Sequence, residues 1–557
     1  MNAASEADSI SDPACLASPE TGQTGFGFVP LDDLPVSRLY RDYCAGESAI
    51  WEFFPTGSSI ADSVGRALNT AASRMPDRAG VAAVLQEQNR RWGADDATLR
   101  NIGRLAEPGS VCAVTGQQLG LFVSPLYTLY KAATAIRLAD LWRSQGHNAV
   151  PVFWLADEDH DFDEVAATFL PAVGTLARVG LPVDDTRSPV GRRMLDDRIS
   201  LVQEALAEAL PPAPFRDDVL RHVHETYQPG VCFRDAFARL LNRLLPDSGL
   251  ILMSGDDARL KHLVAPLFVK EAEGSDLFDR ISTRSLELEK PYHAQVKPRD
   301  TNLFYLEGHS RLAVDRTADG FAAGALRSWS KEEFRREVLG APEHFSPNVV
   351  LRPLMQDTLL PTAAYVAGPG ETAYYAQLGP AYDWSGVPMP AIVPRASLSL
   401  VDSRSLRLMT RYGLGLADLF VQPEQLFSRL VRAGLPDDTR AAFEGAAAEL
   451  DAIADQMKAT AEGVDSTLAK SAESARTKIR RQVERMLEKV ERAERRKHGE
   501  LRARLLHAHV LLYPAGGLQE RTLSPLYFAS RYGMDYFSRL ATRLSIDTTE
   551  HQVIAEG

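Results

Sequence analysis

The chain has 557 residues, 45% hydrophobic and 24% charged, with 74 acidic against 62 basic side chains and a formal net charge of -12. This is an ordinary folded composition with room for about three domain-sized units, and its negative balance disfavours general attraction to nucleic acid or to an anionic membrane. Cys15, Cys44, Cys112 and Cys232 are scattered without a CxxC pair, which indicates neither a disulfide framework nor a thiolate zinc site and fits a reducing, cytoplasmic setting with a small-molecule substrate.

Residues 1–26 are rich in Ser, Ala, Asp and Glu without an apolar h-region, and read as a disordered tail. No later segment approaches the ~20 apolar residues needed to cross a bilayer. A catalytic core is expected over 27–436, beginning with a helical lead-in that includes 63–74 and 81–92. Residues 111–115 then form a short apolar strand broken at Gly116, and from Pro125 apolar residues recur at helical spacing to Leu141, before Gly146. A second apolar run at 150–156 follows at the distance a crossover requires, so the pair reads as a βαβ unit. Turn-rich stretches at 182–189 and 211–214 mark an insertion over about 168–245. Another buried strand at 249–253 leads to the acid pair Asp256 and Asp257, then an amphipathic run to Lys270.

A second insertion covers about 271–345, with short strands around Tyr292, 303–306 and 312–314. Residues 348–394 hold Pro353, Pro361, Pro369, Pro380, Pro388, Pro390 and Pro394, which predicts loops and short elements rather than long helices. Between Pro436 and Pro514 proline is absent, and Ala, Glu, Arg and Lys dominate; residues 437–512 therefore read as a helical arm. Gly463, Asp465 and Ser466 suit a hairpin break. The stripe Val464, Leu468, Ala472, Ala475, Ile479, Val483, Met486 and Val490 repeats by eleven, predicting a nearly straight or slightly right-handed coil. A continuous helix over 464–506 would extend about 65 Å, so the first limb or another subunit has to cover it. The arm's Arg476, Arg480, Arg481 and Arg485 alternate with Glu473, Glu484 and Glu488, the pattern of a solvated face rather than an RNA-binding one. Residues 513–557 return to the core, with non-helical chain at Gln519, Glu520 and Arg521.

Both polar clusters of the βαβ unit fall beyond strand ends, where open parallel sheets bind ligands and helix N-termini favour anions. The Gly116-Gln117-Gln118 turn could cradle phosphate or carboxylate, although it has neither the GxGxxG of a dinucleotide site nor a phosphate loop's Gly-Lys-Ser/Thr ending. Lys131 is either a phosphate-neutralising cation or a surface side chain. Asp157, Glu158, Asp159, His160 and Asp161 form the stronger cluster, because adjacent carboxylates need cations, a metal or an amine to compensate them. Three roles are open: binding an amino acid's ammonium group, holding Mg²⁺ beside a nucleotide, or placing His160 as general base on an attacking amine. A bland alternative is an i,i+4 pairing of His160 with Glu164. Arg352, with Gln356, Asp357, Tyr365 and Tyr374 nearby in sequence, could clamp a carboxylate or phosphate, or simply bridge to Asp357. Arg395 and Ser397 could close over a nucleotide.

The segments Gly116-Gln117-Gln118-x-Gly120-Leu121-Phe122, Pro125-Leu126-Tyr127-Thr128-x-Tyr130-Lys131 and Phe153-Trp154-x-Ala156-x-Glu158-Asp159-His160-Asp161-Phe162 resemble the bacillithiol-biosynthesis cysteine ligase family. So do Ser346-Pro347-Asn348, Leu351-Arg352-Pro353, Gln356-Asp357-Thr358, Gly368-Pro369-x-Glu371, Pro394-Arg395-x-Ser397 and Gly516-Gly517-Leu518-Gln519-Glu520-Arg521, in the family's order. The likeness runs from about Leu34 to the last fifteen residues. Val123-Ser124 stands where the family usually has Thr-Gly, and Ala515 where it usually has Asn.

The resemblance implies an α/β fold with a Rossmann-like parallel-sheet core similar to that of class I aminoacyl-tRNA synthetases, connecting insertions, and a coiled-coil arm that mediates dimerisation. The HxGH signature of the tRNA enzymes is missing after the first strand, so transfer to tRNA is unsupported. The implied reaction joins the carboxyl of cysteine to the amine of glucosaminyl-malate, and a carboxylate must first be activated, most simply by ATP as adenylate or acyl phosphate. On this reading Glu158, Asp159, His160 and Asp161 are catalytic. Arg352, Gln356, Asp357, Tyr365 and Arg395 meet substrate, and Gly116, Gln117, Gln118, Lys131 and Ser397 meet ATP. No metal ligand is assigned, with Mg²⁺ left open. A nucleotidylyltransferase acting on another small acid, and a non-catalytic dimeric scaffold, are the alternatives. All of these placements require the two polar loops to converge on one pocket.

Overall fold

The computed structural model describes residues 27–74, 76–274, 276–308, 310–434, 437–546 and 550–556; the expected tail at 1–26 lies outside them. The two apolar runs become strands β1 (Val111–Gln117) and β2 (Ala149–Leu155), connected through helix α1 (Tyr127–Ser144). With β3 (Ile251–Ser254), β4 (Thr362–Ala367) and β5 (Ala391–Pro394) they form a five-stranded sheet in the order β5-β4-β1-β2-β3. Every pairing is parallel, and Val114 stands opposite Val152 on one side and Tyr365 on the other.

Side-chain alternation along the strands builds two cores. Cys112, Val114, Val152 and Trp154 pack with Leu260, Val264 and Phe268 of helix α2 (Ala258–Glu273) and with Leu351 and Met355 of α3 (Leu351–Leu359). Val111, Ala113 and Ala149 point the other way, into Ala135, Leu138 and Trp142 of α1. Burying both faces explains why the strands read as unbroken apolar runs. Each fully buried valine or leucine there contributes about 1.5–3 kcal/mol.

Strand β1 continues through Gly116, the expected break, and ends at Gln117. This glycine lies in the ladder opposite Trp154, and a Cβ on it would stand 3.1 Å from the Trp154 carbonyl oxygen and 3.4 Å from the Tyr365 hydroxyl. Close approach of neighbouring strands, rather than a turn, is what requires glycine here. The turn comes later, at Gly120, where a Cβ would fall 1.8 Å from the carbonyl oxygen of Ser124.

The proline-rich stretch also differs from expectation, because it contributes α3, β4 and the 17-residue helix α4 (Pro369–Ser385). Pro353 and Pro369 lie in the first turns of α3 and α4, where an N–H has no intrahelical partner to lose. Only Pro380, inside α4, forgoes a helical bond. Tyr292 belongs to no strand. The strands of that region are Leu303–Glu307, Ser310–Arg316, Gly320–Ala323 and Arg327–Ser330, which join Phe345–Pro347 in an antiparallel sheet.

Residues to Ser399 together with Gly517–Ile554 make one compact unit, and Leu400–Gly516 make a second. Within the second, α5 (Asp437–Val464) and α6 (Ala469–Lys497) form a hairpin. Ion pairs Arg476–Asp451 and Lys458–Glu473 run in the antiparallel sense, and the Asp465 side chain accepts from the Thr467 N–H at the bend. The continuous helix expected over 464–506 is interrupted twice, by the 3-10 turn Ser466–Leu468 and by His498, whose φ of -103° and ψ of 34° separate α6 from α7 (Gly499–Leu512). Gly499 weakens helical propensity at that join. The α6 limb alone is about 44 Å long; of the expected stripe, Ile479 and Met486 on α6, Leu468 in the 3-10 turn and Val464 at the end of α5 are exposed. Gln519–Thr522 forms a short helix, not the non-helical chain expected there. Among the described residues no helix is long and apolar enough to cross a membrane.

Candidate functional site

From β1 the chain proceeds to β2 and β3 on one flank and reaches β4 on the other, so the carboxyl ends of β1 and β4 flank the topological switch point where such sheets bind ligands. Lys131 occupies it. Its side chain is 2% exposed, donates from Nζ to the Gly116 carbonyl (2.7 Å) and Gln117 Oε1 (3.0 Å), and pairs with Glu371 of α4. Burial pulls this lysine below its ordinary value while Glu371 opposes the shift. The surface alternative for Lys131 is therefore overturned. Glu371 also accepts from the Tyr365 hydroxyl (2.8 Å) and the Gly368 N–H (2.8 Å).

Arg352 donates to Gln356 Oε1 (3.1 Å) and the Tyr374 hydroxyl (3.2 Å), with its guanidinium 5.5 Å from the Tyr365 ring. It makes no bridge to Asp357. That carboxylate is buried and accepts from the Tyr382 hydroxyl (2.6 Å) and Gln356 Nε2 (2.8 Å), and burial pushes it above the usual range. Asp357 thus supports Gln356, which supports Arg352. Arg395 is likewise interior: Nη2 donates to Glu520 (2.6 Å), and Ser397 Oγ meets the same carboxylate (3.1 Å) and His551 Nδ1 (2.7 Å). The Arg395 guanidinium lies 5.5 Å from the Tyr127 ring, whose hydroxyl accepts from Gln117 Nε2 (3.2 Å). Arg395 and Ser397 therefore belong to a polar network closed by Glu520 and His551.

On the other flank the two loops meet. Gln118 Nε2 donates to Asp159 Oδ2 (2.7 Å) and Glu164 Oε2 (3.2 Å). Asp157 Oδ2 accepts from Ser254 Oγ (2.6 Å) and Arg234 (3.3 Å), and Arg192 grips Asp256 through Nε (2.7 Å) and Nη2 (2.5 Å). Lys261, fully buried, stands 2.6 Å from Glu158 and 3.4 Å from Asp256. Burial pushes Asp157 up to about 6, with Arg234 pulling the other way. At Asp256 burial acts upward too, but Arg192 and Lys261 outweigh it and hold that carboxyl low. Arg192, Arg234, Lys261 and Arg311 thus supply the compensation that the acid run demands. None was singled out from the sequence, where the only signal was that demand itself.

Asp159, His160 and Asp161 reach the solvent boundary, and the Asp161 side chain is 60% exposed. Arg311, from the strand Ser310–Arg316, donates to His160 Nδ1 (3.1 Å), Ser346 Oγ (3.1 Å) and the Pro347 carbonyl (2.9 Å), and stacks 3.8 Å from the Phe304 ring centre. Burial and Arg311 lower the basicity of His160. The pairing of His160 with Glu164 does not form; Glu164 meets Gln118 instead. Atoms of Asp159, His160 and Asp161 come within 4.8 Å of one another, a cation-like spacing, but Arg311 already places positive charge beside them and no metal is assigned. Asp159 and Asp161 are the carboxylates most open to an incoming amine.

Residues 29–396 match the family described as "Bacillithiol biosynthesis BshC, N-terminal Rossmann-like domain", and residues 398–556 match "Bacillithiol biosynthesis BshC, C-terminal coiled-coil domain". Relatives called "Putative cysteine ligase BshC" cover nearly the whole chain. That of Salinibacter ruber is 43% identical over 525 residues, 93% of this chain and 96% of the relative. Those of Chlorobaculum tepidum and Koribacter versatilis are each 34% identical, over 512 residues (88% and 91%) and 535 residues (94% and 99%).

Proposed function

The chain belongs to the bacillithiol-biosynthesis BshC family, and from that premise we propose that it joins the carboxyl of cysteine to the amine of glucosaminyl-malate after activation by ATP, in the cytoplasm. The observation that carries the proposal is the junction of Gln118 with Asp159, which brings a neutral amide loop and an open acidic loop together beside the buried Lys131–Glu371 pair. A carboxylate is a poor electrophile, so one of its oxygens has to become a leaving group before an amine can displace it.

In this reading the nucleotide lies along Gln117 and Gln118, facing the N-terminal turn of α1, with Lys131 fixing the floor of that crevice. The amine rests against Asp159 and Asp161, which reach solvent, while Glu158 is buried and held by Lys261. Substrate carboxylates approach Arg352, whose fork is aimed by Gln356 and Tyr374; Arg395 and Ser397 brace the wall. Residues 27–399 with 517–554 act as the catalytic core, and 437–512, within the second unit, act as the arm. A homodimer formed through the arm would cover Val464, Ile479 and Met486.

Purified protein given cysteine, glucosaminyl-malate and ATP should yield the coupled thiol by mass spectrometry, and a chelator added to the same assay reports on Mg²⁺. Absence of product, with cellular thiols unchanged on gene removal, would refute the assignment. Sedimentation of wild type and Met486→Lys tests the dimer, which the charge should dissociate.

A further inference from the structure

Arg311 holds His160 in one chemical form. A guanidinium has five N–H donors and no acceptor, so the 3.1 Å contact of Arg311 Nη1 with His160 Nδ1 needs a lone pair on Nδ1. An imidazolium has none, and the neutral tautomer with that lone pair carries its proton on Nε2. Arg311 is not free to withdraw: it is 7% exposed and is also bound to Ser346 Oγ, the Pro347 carbonyl and the Phe304 ring. The carboxylate paired with it is Asp159, 3.7 Å away, and Glu158 and Asp161 add negative charge nearby. The Nε2–H is different. Its nearest acid, Asp161 Oδ1, lies 3.9 Å off, beyond hydrogen-bond reach, and the side chain is 24% exposed. One ring nitrogen is thus closed and the other is an available donor.

We propose that His160 acts as a hydrogen-bond donor to an anionic oxygen of the substrate, a phosphate or carboxylate oxygen, and that Arg311 is the positioning residue that fixes it in this form. General-base action on the amine is then excluded while Arg311 stays in place, because the ring has no spare lone pair. Donors of this kind act where negative charge develops and remain effective in a partly dry site. The identity of the oxygen rests on the function proposed above; the tautomer does not.

The full-length chain with ¹⁵N-labelled histidine, assigned through His160→Gln, should show Nδ1 unprotonated and Nε2 protonated at neutral pH, without any substrate. In Arg311→Gln the two tautomers should interconvert. A protonated Nδ1 at His160 in the wild type, alone or as imidazolium, would overturn the proposal. In the coupling assay, His160→Gln retains an N–H at similar reach and should stay within about tenfold of wild type, whereas His160→Ala should fall by about 10²–10³-fold; equal losses would reject the donor role. A rise in KM for ATP points to a phosphate oxygen, and a rise for cysteine or glucosaminyl-malate points to a carboxylate. Should the wild type make no coupled thiol, the function proposed above falls while the spectrum still decides the tautomer.

Discussion

The side-chain amide of Gln118 donates to Oδ2 of Asp159 across 2.7 Å, tying the loop after β1 to the loop after β2. A neutral donor at this point lets Asp159 and Glu164 sit near one another. Gln118→Glu would replace that donor with a third carboxylate and push the loops apart. We expect at least a tenfold loss of coupling activity, larger than in Gln118→Ala and partly relieved by salt. Both variants should melt within a few degrees of wild type, because Gln118 is only half-buried. Equal losses in the two variants would show that charge at this junction is irrelevant.

The buried Lys131–Glu371 pair makes a different prediction. Lys131→Met strands the Glu371 carboxylate and the Gly116 carbonyl, and should cost about 2–3 kcal/mol, below the full penalty for a sealed pair because Glu371 is partly exposed. Adding Glu371→Gln removes the stranded charge. Denaturant titration should therefore show the double variant more stable than Lys131→Met alone, while ATP-dependent activity stays low in both. A double variant no more stable than the single one would mean that the pair is not coupled.

Glu271 links pH to the framework of the site. Its Oε1 accepts from the Asn302 N–H (2.7 Å) and Nδ2 (2.9 Å), and Asn302 in turn bonds Asn348, just ahead of α3 and Arg352. Burial pushes the Glu271 carboxyl up to about 7, against the pull of the Asn302 hydrogen bonds. A raised acid takes up a proton on folding, so its stabilising share is full below the unfolded value near 4.5 and is lost as pH rises through 7. Relative to Glu271→Gln, the wild type should lose about 3 kcal/mol between pH 4.5 and pH 8. Parallel stability profiles for the two proteins over that range would contradict the shift.

The βαβ unit was legible because two apolar runs, a helical period and a tight crossover length leave few alternatives, and the polar residues that follow the strands had to share one edge of a parallel sheet. The acid run was legible for a similar reason, since charge at that density demands a partner. What the sequence did not disclose is who the partners are. Arg192, Arg234, Lys261 and Arg311 come from separate elements that only tertiary folding brings to Asp157, Asp256, Glu158 and His160. Proline counting misled at 348–394 because Pro353 and Pro369 occupy first helical turns, where proline costs little. Gly116 misled because close strand approach and turning both call for glycine. The arm's hairpin was readable from its composition and its break residues, but not the second interruption at His498, where only a single glycine marks the sequence.

Ala515 carries a strained backbone that its sequence position helps explain. It has φ 53° and ψ 24° within the turn Pro514–Gly516, after α7, and an alanine Cβ crowds the following carbonyl in that left-handed region. Asparagine, which the family usually has here, tolerates the conformation through its short polar side chain, and glycine tolerates it without any Cβ. Ala515→Gly and Ala515→Asn should therefore each stabilise the second unit by about 0.5–1 kcal/mol, with glycine's gain reduced by its greater freedom when unfolded. A β-branched Ala515→Val should do the reverse, since its stiff side chain fits positive φ worst of the three. Thermal melts of these variants test the ordering Asn and Gly above Ala above Val; a valine variant as stable as wild type would show that the turn relaxes to negative φ at no cost.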